Sequence, residues 1–319
     1  MGDLRLAVVG CGGMGRVHLE RWANVSGVSI EALCDANSGV VAAAQREFGG
    51  EAHTRWREML SAMQVDIVDV CVPPILHEPV VVGALEAGAH VICEKPLART
   101  PAEAQRMMDA AERTGRLLMT AFCHRFHPPI LFARELIDND DLGRLRMVRN
   151  RFSGAFAGVE NLWFSDPEMA GGGALLDTAI HSIDLFRFLA GEVRSAAGRI
   201  ATFNPALSVE DSAVVVLEAQ SGALGVIEAS WSTPNGRNIV EIYGSAGACF
   251  VDYDTNRIRY KSADMSVWET REVGGPDRFQ REIDSFADAV RGLQPLRVTG
   301  HDGLRANEIV AEVLASARA

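Results

Sequence analysis

Leu6 to Val9 is an unbroken apolar run that stops at Gly10, and apolar residues then return at helical spacing (Val17, Leu19, Trp22, Ala23). A short run bounded by a turn predicts a buried parallel strand, and the 3.6-residue period after it a helix. The same alternation continues to about residue 122. Val28 to Cys34 reads as a second strand, Asn37 to Phe48 as a helix, and Arg55 to Ala62 as a short helix. Val65 to Val72 is a third strand, stopped by Pro73-Pro74, and a helix from about Leu76 to Ala87 ends at Gly88. His90 to Cys93 is a fourth strand. Thr100-Pro101-Ala102-Glu103 is a capping box with Pro at the first helical position, so a helix begins there and ends near Gly115. Leu117 to Ala121 is the fifth strand. Strand and helix in alternation call for α/β architecture, a doubly wound parallel sheet.

Past residue 125 the rhythm changes. A helix from about Pro129 to Asp138 leads to a strand, Leu145 to Phe152, and then to a glycine-rich aromatic stretch containing Trp163, Phe164 and Gly171-Gly172-Gly173. One helix is expected from about Ala174 to Leu189. Strands follow at Ala196–Ala201, Ser212–Glu218, Leu224–Trp231, Asn238–Tyr243 and Ala248–Tyr253. Breaks at Ser221-Gly222 and Ser245-Ala246-Gly247 fit hairpins, so this half is expected to be α+β with a large, mostly antiparallel open sheet. Phe279, Ile283, Phe286, Ala287 and Val290 mark an amphipathic helix, and a last helix runs from about Gly303 to Ala317. The expected domains are 1–124 and 125–319, in keeping with about 150 residues per domain.

Composition narrows the class. Of 319 residues, 48% are hydrophobic and 23% charged, which is ordinary for a globular protein. A net charge of -11 argues against nucleic acid and against an anionic membrane surface as partners. No uncharged run approaches the ~18 residues of a membrane helix, and the first apolar run is too short for a signal peptide. Leu6 stands where a myristoylation signal needs Ser or Thr. The six cysteines show no CxxC, and five fall in or just after expected strands of the first domain, which fits a reducing cytoplasm.

The glycine turn carries the first chemistry. In Gly10-x-Gly12-x-x-Gly15, Gly10 makes the turn, Gly12 lets the backbone approach a pyrophosphate, and Gly15 seats the helix on the sheet. Gly13, Met14 and Gly15 then offer N–H groups at a helix N-terminus. Asp35 ends the second strand twenty residues after Gly15, where a carboxylate receives the adenosine ribose hydroxyls. Its charge opposes a 2′-phosphate, and no Arg follows at Ala36, Asn37 or Ser38, so the expected cofactor is NAD rather than NADP.

Lys95 follows the fourth strand at the sheet edge where ligands of such sheets lie. An ammonium there can hydrogen-bond a substrate oxygen and stabilise alkoxide charge; the plainer reading is a surface Lys closing a strand. Asp177 and His181, four apart, share a helix face, so the carboxylate can orient an imidazole suited to proton transfer. Their plainer reading is a surface pair. His77, after Pro73-Pro74, either contacts cofactor or binds backbone. Arg125, beside His124, either touches substrate or ties domains together. Asn161 and Trp163 can line a sugar site by hydrogen bonding and stacking, although an aromatic cluster is more often core. His124 and His127 come without HExxH or a Cys/His quartet, so no metal is expected. GxSxG is absent.

Four stretches resemble the Gfo/Idh/MocA family of sugar and cyclitol oxidoreductases. They are the Gly10–Gly15 turn, Val72-Pro73-Pro74-x-x-His77, Glu94-Lys95-Pro96-Leu97, and the run Gly172-Gly173-Ala174-Leu175-Leu176-Asp177-x-Ala179-x-His181-x-x-Asp184. The likeness continues in Tyr243-Gly244-Ser245-x-Gly247 and in Asp302-Gly303. Ala179 departs from it, since the family more often has Gly there. The resemblance implies an NAD-dependent dehydrogenase acting on a secondary hydroxyl of a sugar or cyclitol, inositol-like. Lys95 and the Asp177/His181 pair would handle the proton, with Asp177 orienting His181 or holding a hydroxyl. Pro73, Pro74, His77, Glu94 and Lys95 would border the nicotinamide end, and Lys95, His124, Arg125, Asn161, Trp163, Asp177 and His181 the substrate. A homodimer or homotetramer through the second sheet is expected. Two alternatives stay open: a glycoside-hydrolase-type relative that oxidises its sugar transiently with tightly held NAD, and a non-catalytic NAD(H) sensor.

Overall fold

The computed structural model describes residues 3–318. The apolar runs become β1 (Leu4–Val9), β2 (Val28–Cys34), β3 (Glu51–His53), β4 (Ile67–Val70), β5 (His90–Glu94) and β6 (Leu118–Ala121). They form a sheet in the order β3-β2-β1-β4-β5-β6, parallel at every pairing. Helices α1 (Gly13–Trp22), α2 (Ser38–Phe48), α3 (Trp56–Ala62), α4 (His77–Glu86) and α5 (Pro101–Thr114) connect them. Val9, Val68, Val91, Leu85 and Met107 meet in the core beneath, as a sheet covered on both faces demands. The chain runs outward in both directions from β1 and β4, so the crevice beyond their carboxyl ends is the place for a ligand.

The second sheet follows α6 (Pro128–Asp138), β7 (Leu145–Ser153), the one-turn α7 (Pro167–Ala170) and α8 (Ile180–Ala190). Its other strands are β8 (Val193–Ala201), β9 (Ser212–Ala219), β10 (Leu224–Ser230), β11 (Asn238–Gly244), β12 (Ala248–Asp252), β13 (Arg257–Lys261) and β14 (Glu269–Glu272). The order is β14-β13-β12-β11-β7-β10-β9-β8, antiparallel except where β7 meets β10. On β9, Ala213, Val215 and Leu217 are buried while Val214 and Val216 are exposed. That alternation is the mark of a sheet with one covered and one open face.

The chain divides into two compact units. One holds the described residues through Phe122 together with Phe279–Arg305, and the other holds Cys123–Arg278 and the described residues from Ala306 on. Residues 279–305 therefore depart from the expected assignment to the second half. The reason is α9 (Arg278–Val290), whose apolar face buries Ile283 and Phe286. Gln280 also accepts from Asn24 and donates to the Arg21 carbonyl, both at 3.2 Å. The last helix, α10 (Gly300–Arg318), begins three residues before the expected start.

Three strands differ from expectation in being present at all. β3 and β14 are short edge strands with mostly exposed side chains, so no apolar period betrays them. β13 alternates Arg257-Ile258-Arg259-Tyr260-Lys261, with Ile258 and Tyr260 buried, a signal the sequence does contain. The strand expected to reach Val72 leaves the sheet after Val70. Among the described residues no helix is long and apolar enough to cross a membrane.

Candidate active site

The turn between β1 and α1 is set by backbone demands. Gly10 has φ +94°, and a Cβ there would stand 2.3 Å from the Cys71 carbonyl oxygen. A Cβ on Gly15 would stand 1.8 Å from the Gly10 carbonyl oxygen, so the helix can approach the turn only without a side chain. Gly12 and Gly13 are different: among the described residues, nothing beyond the adjoining backbone lies within 4 Å of a Cβ at either. That space is the room a pyrophosphate needs above the start of α1, where no side chain caps the helix. Met14 flanks the same turn and is partly exposed.

Asp35, just past β2, braces the turn. Its Oδ2 accepts from the Cys11 N–H at 2.9 Å and its Oδ1 from the Asn37 N–H at 2.8 Å. A carboxylate has about four lone-pair sites, so both oxygens can still accept from ribose hydroxyls. These residues fit a dinucleotide and fit one with a free 2′-hydroxyl best. Like-charge juxtaposition costs several kcal/mol, so turnover per unit concentration with NADP should fall on the order of 100-fold or more below that with NAD. Initial rates with the two cofactors measure this, and comparable rates would contradict it.

The other side of the crevice is the end of β5. Glu94 is buried, and its Oε2 accepts the backbone N–H of Lys95 at 2.9 Å. The Lys95-Pro96 peptide is cis. Pro73 and Pro74 lead into a short 3-10 turn, Pro74–Leu76, before α4. His77 then turns inward and is buried. Its Nδ1 lies 2.8 Å from the Pro96 carbonyl oxygen and 3.2 Å from that of Leu97, and its Nε2 lies 2.8 Å from that of Val72. Of its two open readings, the backbone-binding one is what the ring nitrogens occupy. Burial pushes the imidazole pKa down, against the pull of the three carbonyls.

In the second unit the expected single helix is not uniform. Leu175–Ala179 is a π-turn and α8 follows from Ile180, with Asp177 in the first and His181 in the second. Positions four apart stay on one side through such a turn, which is a feature common at functional sites. Gly173 places it: a Cβ there would meet the Glu210 carbonyl oxygen at 1.8 Å. Glu210 Oε1 accepts from the N–H groups of Gly173 (2.9 Å) and Leu175 (3.1 Å), capping the segment. Burial pushes the Glu210 pKa up. Thr178 Oγ1 donates to Asp177 Oδ2 at 3.1 Å and accepts from the Trp231 indole N–H at 2.8 Å. Glu210, Thr178 and Trp231 were not foreseen; the triple glycine signals a close approach without saying to what.

His181 is stacked on His124, with ring centroids 4.1 Å apart and planes 7° from parallel. Phe152 and Tyr253 lie against His124, and Tyr253 stacks on His127 at 4.3 Å. His127 donates from Nε2 to Asn256 Oδ1 at 3.0 Å, and burial holds its pKa down at about 4. Cys123, His124 and His181 bring ligand atoms within 4.8 Å of one another. The lone pairs of two parallel rings lie in separate planes, however, so this stack cannot aim both imidazoles at one ion. The Arg125 guanidinium holds Asp184 in a buried two-point pair, Nε to Oδ2 at 2.8 Å, and lies over Phe188. That pair ties the segment before α6 to α8 within one unit. Asn161 is exposed, and Trp163 stacks on Phe164 at 3.8 Å beside a small core around Trp231.

Two family descriptions match the chain. Residues 4–122 match an oxidoreductase family with an NAD-binding Rossmann fold, and residues 130–249 match the GFO/IDH/MocA C-terminal domain. D-apiose dehydrogenase of Paraburkholderia graminis is 34% identical over 256 residues, 78% of this chain and 67% of its own. Inositol 2-dehydrogenase of Salmonella typhimurium is 29% identical over 316 residues, covering 94% and 90%. A structure of levoglucosan dehydrogenase with NADH and levoglucosan superposes with a TM-score of 0.94 at 26% identity, over 99% of this chain and 97% of that one.

Proposed function

The chain belongs to the Gfo/Idh/MocA family of NAD-binding oxidoreductases, and on that premise we propose that it oxidises a secondary ring hydroxyl of a sugar or cyclitol, or reduces the matching ketone. When bound, the nicotinamide of NAD supplies the hydride acceptor. The Lys95 ammonium hydrogen-bonds the carbinol oxygen and stabilises negative charge there as the C–H bond breaks. His181 takes the hydroxyl proton, and Asp177 orients the imidazole or receives a neighbouring substrate hydroxyl. Gly10, Gly12, Gly13, Met14, Gly15 and Asp35 hold the dinucleotide, and Asn161, Trp163 and His124 border the substrate.

One observation carries the reading most. Asp177 is held through Thr178 by Trp231 on a segment that Glu210 caps, which is more support than a surface ion pair needs. The relatives' printed substrates, apiose, inositol and levoglucosan, are all polyhydroxylated. The open sheet face with half-exposed Val214 and Val216 supports pairing of copies there. The pH dependence of kcat/KM tests the base: a limb near neutrality should be present in the parent enzyme and absent in His181→Asn. An unchanged profile would remove His181 from the reaction.

A further inference from the structure

Two buried histidines grip the chain on either side of Lys95, and neither belongs to the reacting groups proposed above. His18, on α1, is wholly buried. Its Nδ1 hydrogen-bonds Asp69 Oδ2 at 2.8 Å, and its Nε2 lies 3.2 Å from Glu94 Oε1, within ion-pair reach but outside hydrogen-bonding geometry. Asp69 also accepts the Trp22 indole N–H on Oδ2 (2.7 Å) and the Cys71 thiol on Oδ1 (3.3 Å). The Phe279 ring of α9 closes the remaining side, 6.4 Å from the imidazole centroid. The second oxygen of Glu94 is the one that holds the Lys95 N–H. On the far side, His77 spans the carbonyls of Pro96 and Leu97 to that of Val72.

We propose that His18 and His77 are positioning residues for Lys95: each fastens the peptide at the end of β5 to the end of β4, one before the lysine and one after it. The proposal rests on the reading of Lys95 as the group that meets the substrate oxygen. A lysine side chain has four rotatable bonds, so the protein controls its ammonium chiefly by fixing where the side chain starts. His18 also belongs to the helix whose first turn would cradle the pyrophosphate, and so joins the cofactor turn to the lysine.

The two rings sit in different electrostatic surroundings. A neutral His18 would turn a lone pair toward one of its two carboxylates. Burial opposes a charge there, yet Asp69, together with the Cys71 sulfur 3.5 Å from Nδ1, outweighs it and pushes the pKa well above the ordinary value. His77 faces only carbonyls, and burial pushes its pKa down, so its neutral ring donates to one side and packs against the other. Because the folded-state pKa of His18 is raised, its grip holds below the ordinary imidazole value and is lost as pH rises through the raised one.

The test uses full-length His18→Gln, His77→Gln and Lys95→Ala, alone and paired, with NAD binding measured by calorimetry. A misplacement of about 1 Å can cost on the order of 100-fold, so each histidine variant should lose roughly 10- to 100-fold in kcat while its NAD Kd moves less than about threefold. The loss should largely vanish in the Lys95→Ala background. Equal losses in both backgrounds, or wild-type kcat in both histidine variants, overturn the proposal. If instead Lys95→Ala alone keeps full turnover, the reading of Lys95 falls, and that result is distinct. Where a variant fails to fold, imidazole nitrogen shifts of the parent protein decide. His18 should remain doubly protonated at about pH 8, above the ~6.5 of an ordinary imidazole, and Glu94→Gln should lower its titration. A neutral His18 there overturns the proposal.

Discussion

Lys95→Ala is expected to lower kcat by on the order of 1,000-fold at saturating NAD and substrate, within the 10²–10⁴ typical of lost acid–base and electrostatic help. That is about 4 kcal/mol of transition-state stabilisation. The Glu94 carboxylate and the Pro96 carbonyl keep their partners in this variant, because those contacts are made by backbone at Lys95 and by His77. Thermal unfolding should therefore move by only a few degrees, and NAD should bind with near-parental affinity. Loss of turnover together with retained cofactor binding is the signature that separates chemistry from folding. Near-normal turnover would mean that another group stabilises the developing alkoxide.

Gly12→Ala and Gly15→Ala should fail in opposite ways. Among the described residues the Gly12 methyl meets nothing beyond its adjoining backbone within 4 Å, so the melting temperature should stay within a few degrees of the parent value. The methyl does fill the space assigned to the pyrophosphate, so NAD affinity should drop by on the order of 100-fold or more through lost backbone contacts and a steric clash. The Gly15 methyl would instead stand 1.8 Å from the Gly10 oxygen, a collision with backbone that only movement of α1 relieves. Overpacking of that kind costs about 1–3 kcal/mol and occasionally more, so this variant should lose stability first and NAD binding as a consequence. Calorimetric NAD titrations beside melting curves distinguish the two. Equal destabilisation by both would show that the turn has only a structural duty.

The contrast also shows what the sequence can and cannot display. Gly10, Gly12 and Gly15 were legible because a backbone requirement restricts the residue type at each, and Asp35 because a strand end fixes its place in space. Lys95 was legible as a strand-end residue, and Asp177 and His181 as helix neighbours. Glu210 was not, although it caps the segment that carries both, because it lies far along the chain and its use depends on Gly173 approaching its backbone. The π-turn under Asp177 leaves no mark in a period of apolar residues. His77 could be read as cofactor contact or as backbone ligand until three carbonyls were seen around it. For Arg125 the sequence could not show that its Nε and one terminal nitrogen are spent on Asp184, within its own unit. The amphipathic pattern at Phe279 to Val290 predicted α9 well but not its company, since periodicity says which face is buried and never against what.

The most direct measurement follows NADH absorbance while purified protein and NAD meet a panel of inositols, pentoses, hexoses and anhydrosugars. Carbon-bound deuterium at the reacting position identifies the hydrogen that moves. The account predicts stoichiometric NADH and a ring ketone from at least one polyol, with the label recovered on the nicotinamide. Release of a free sugar with no net NADH, or no NADH from any member of the panel despite measurable NAD binding, would contradict it.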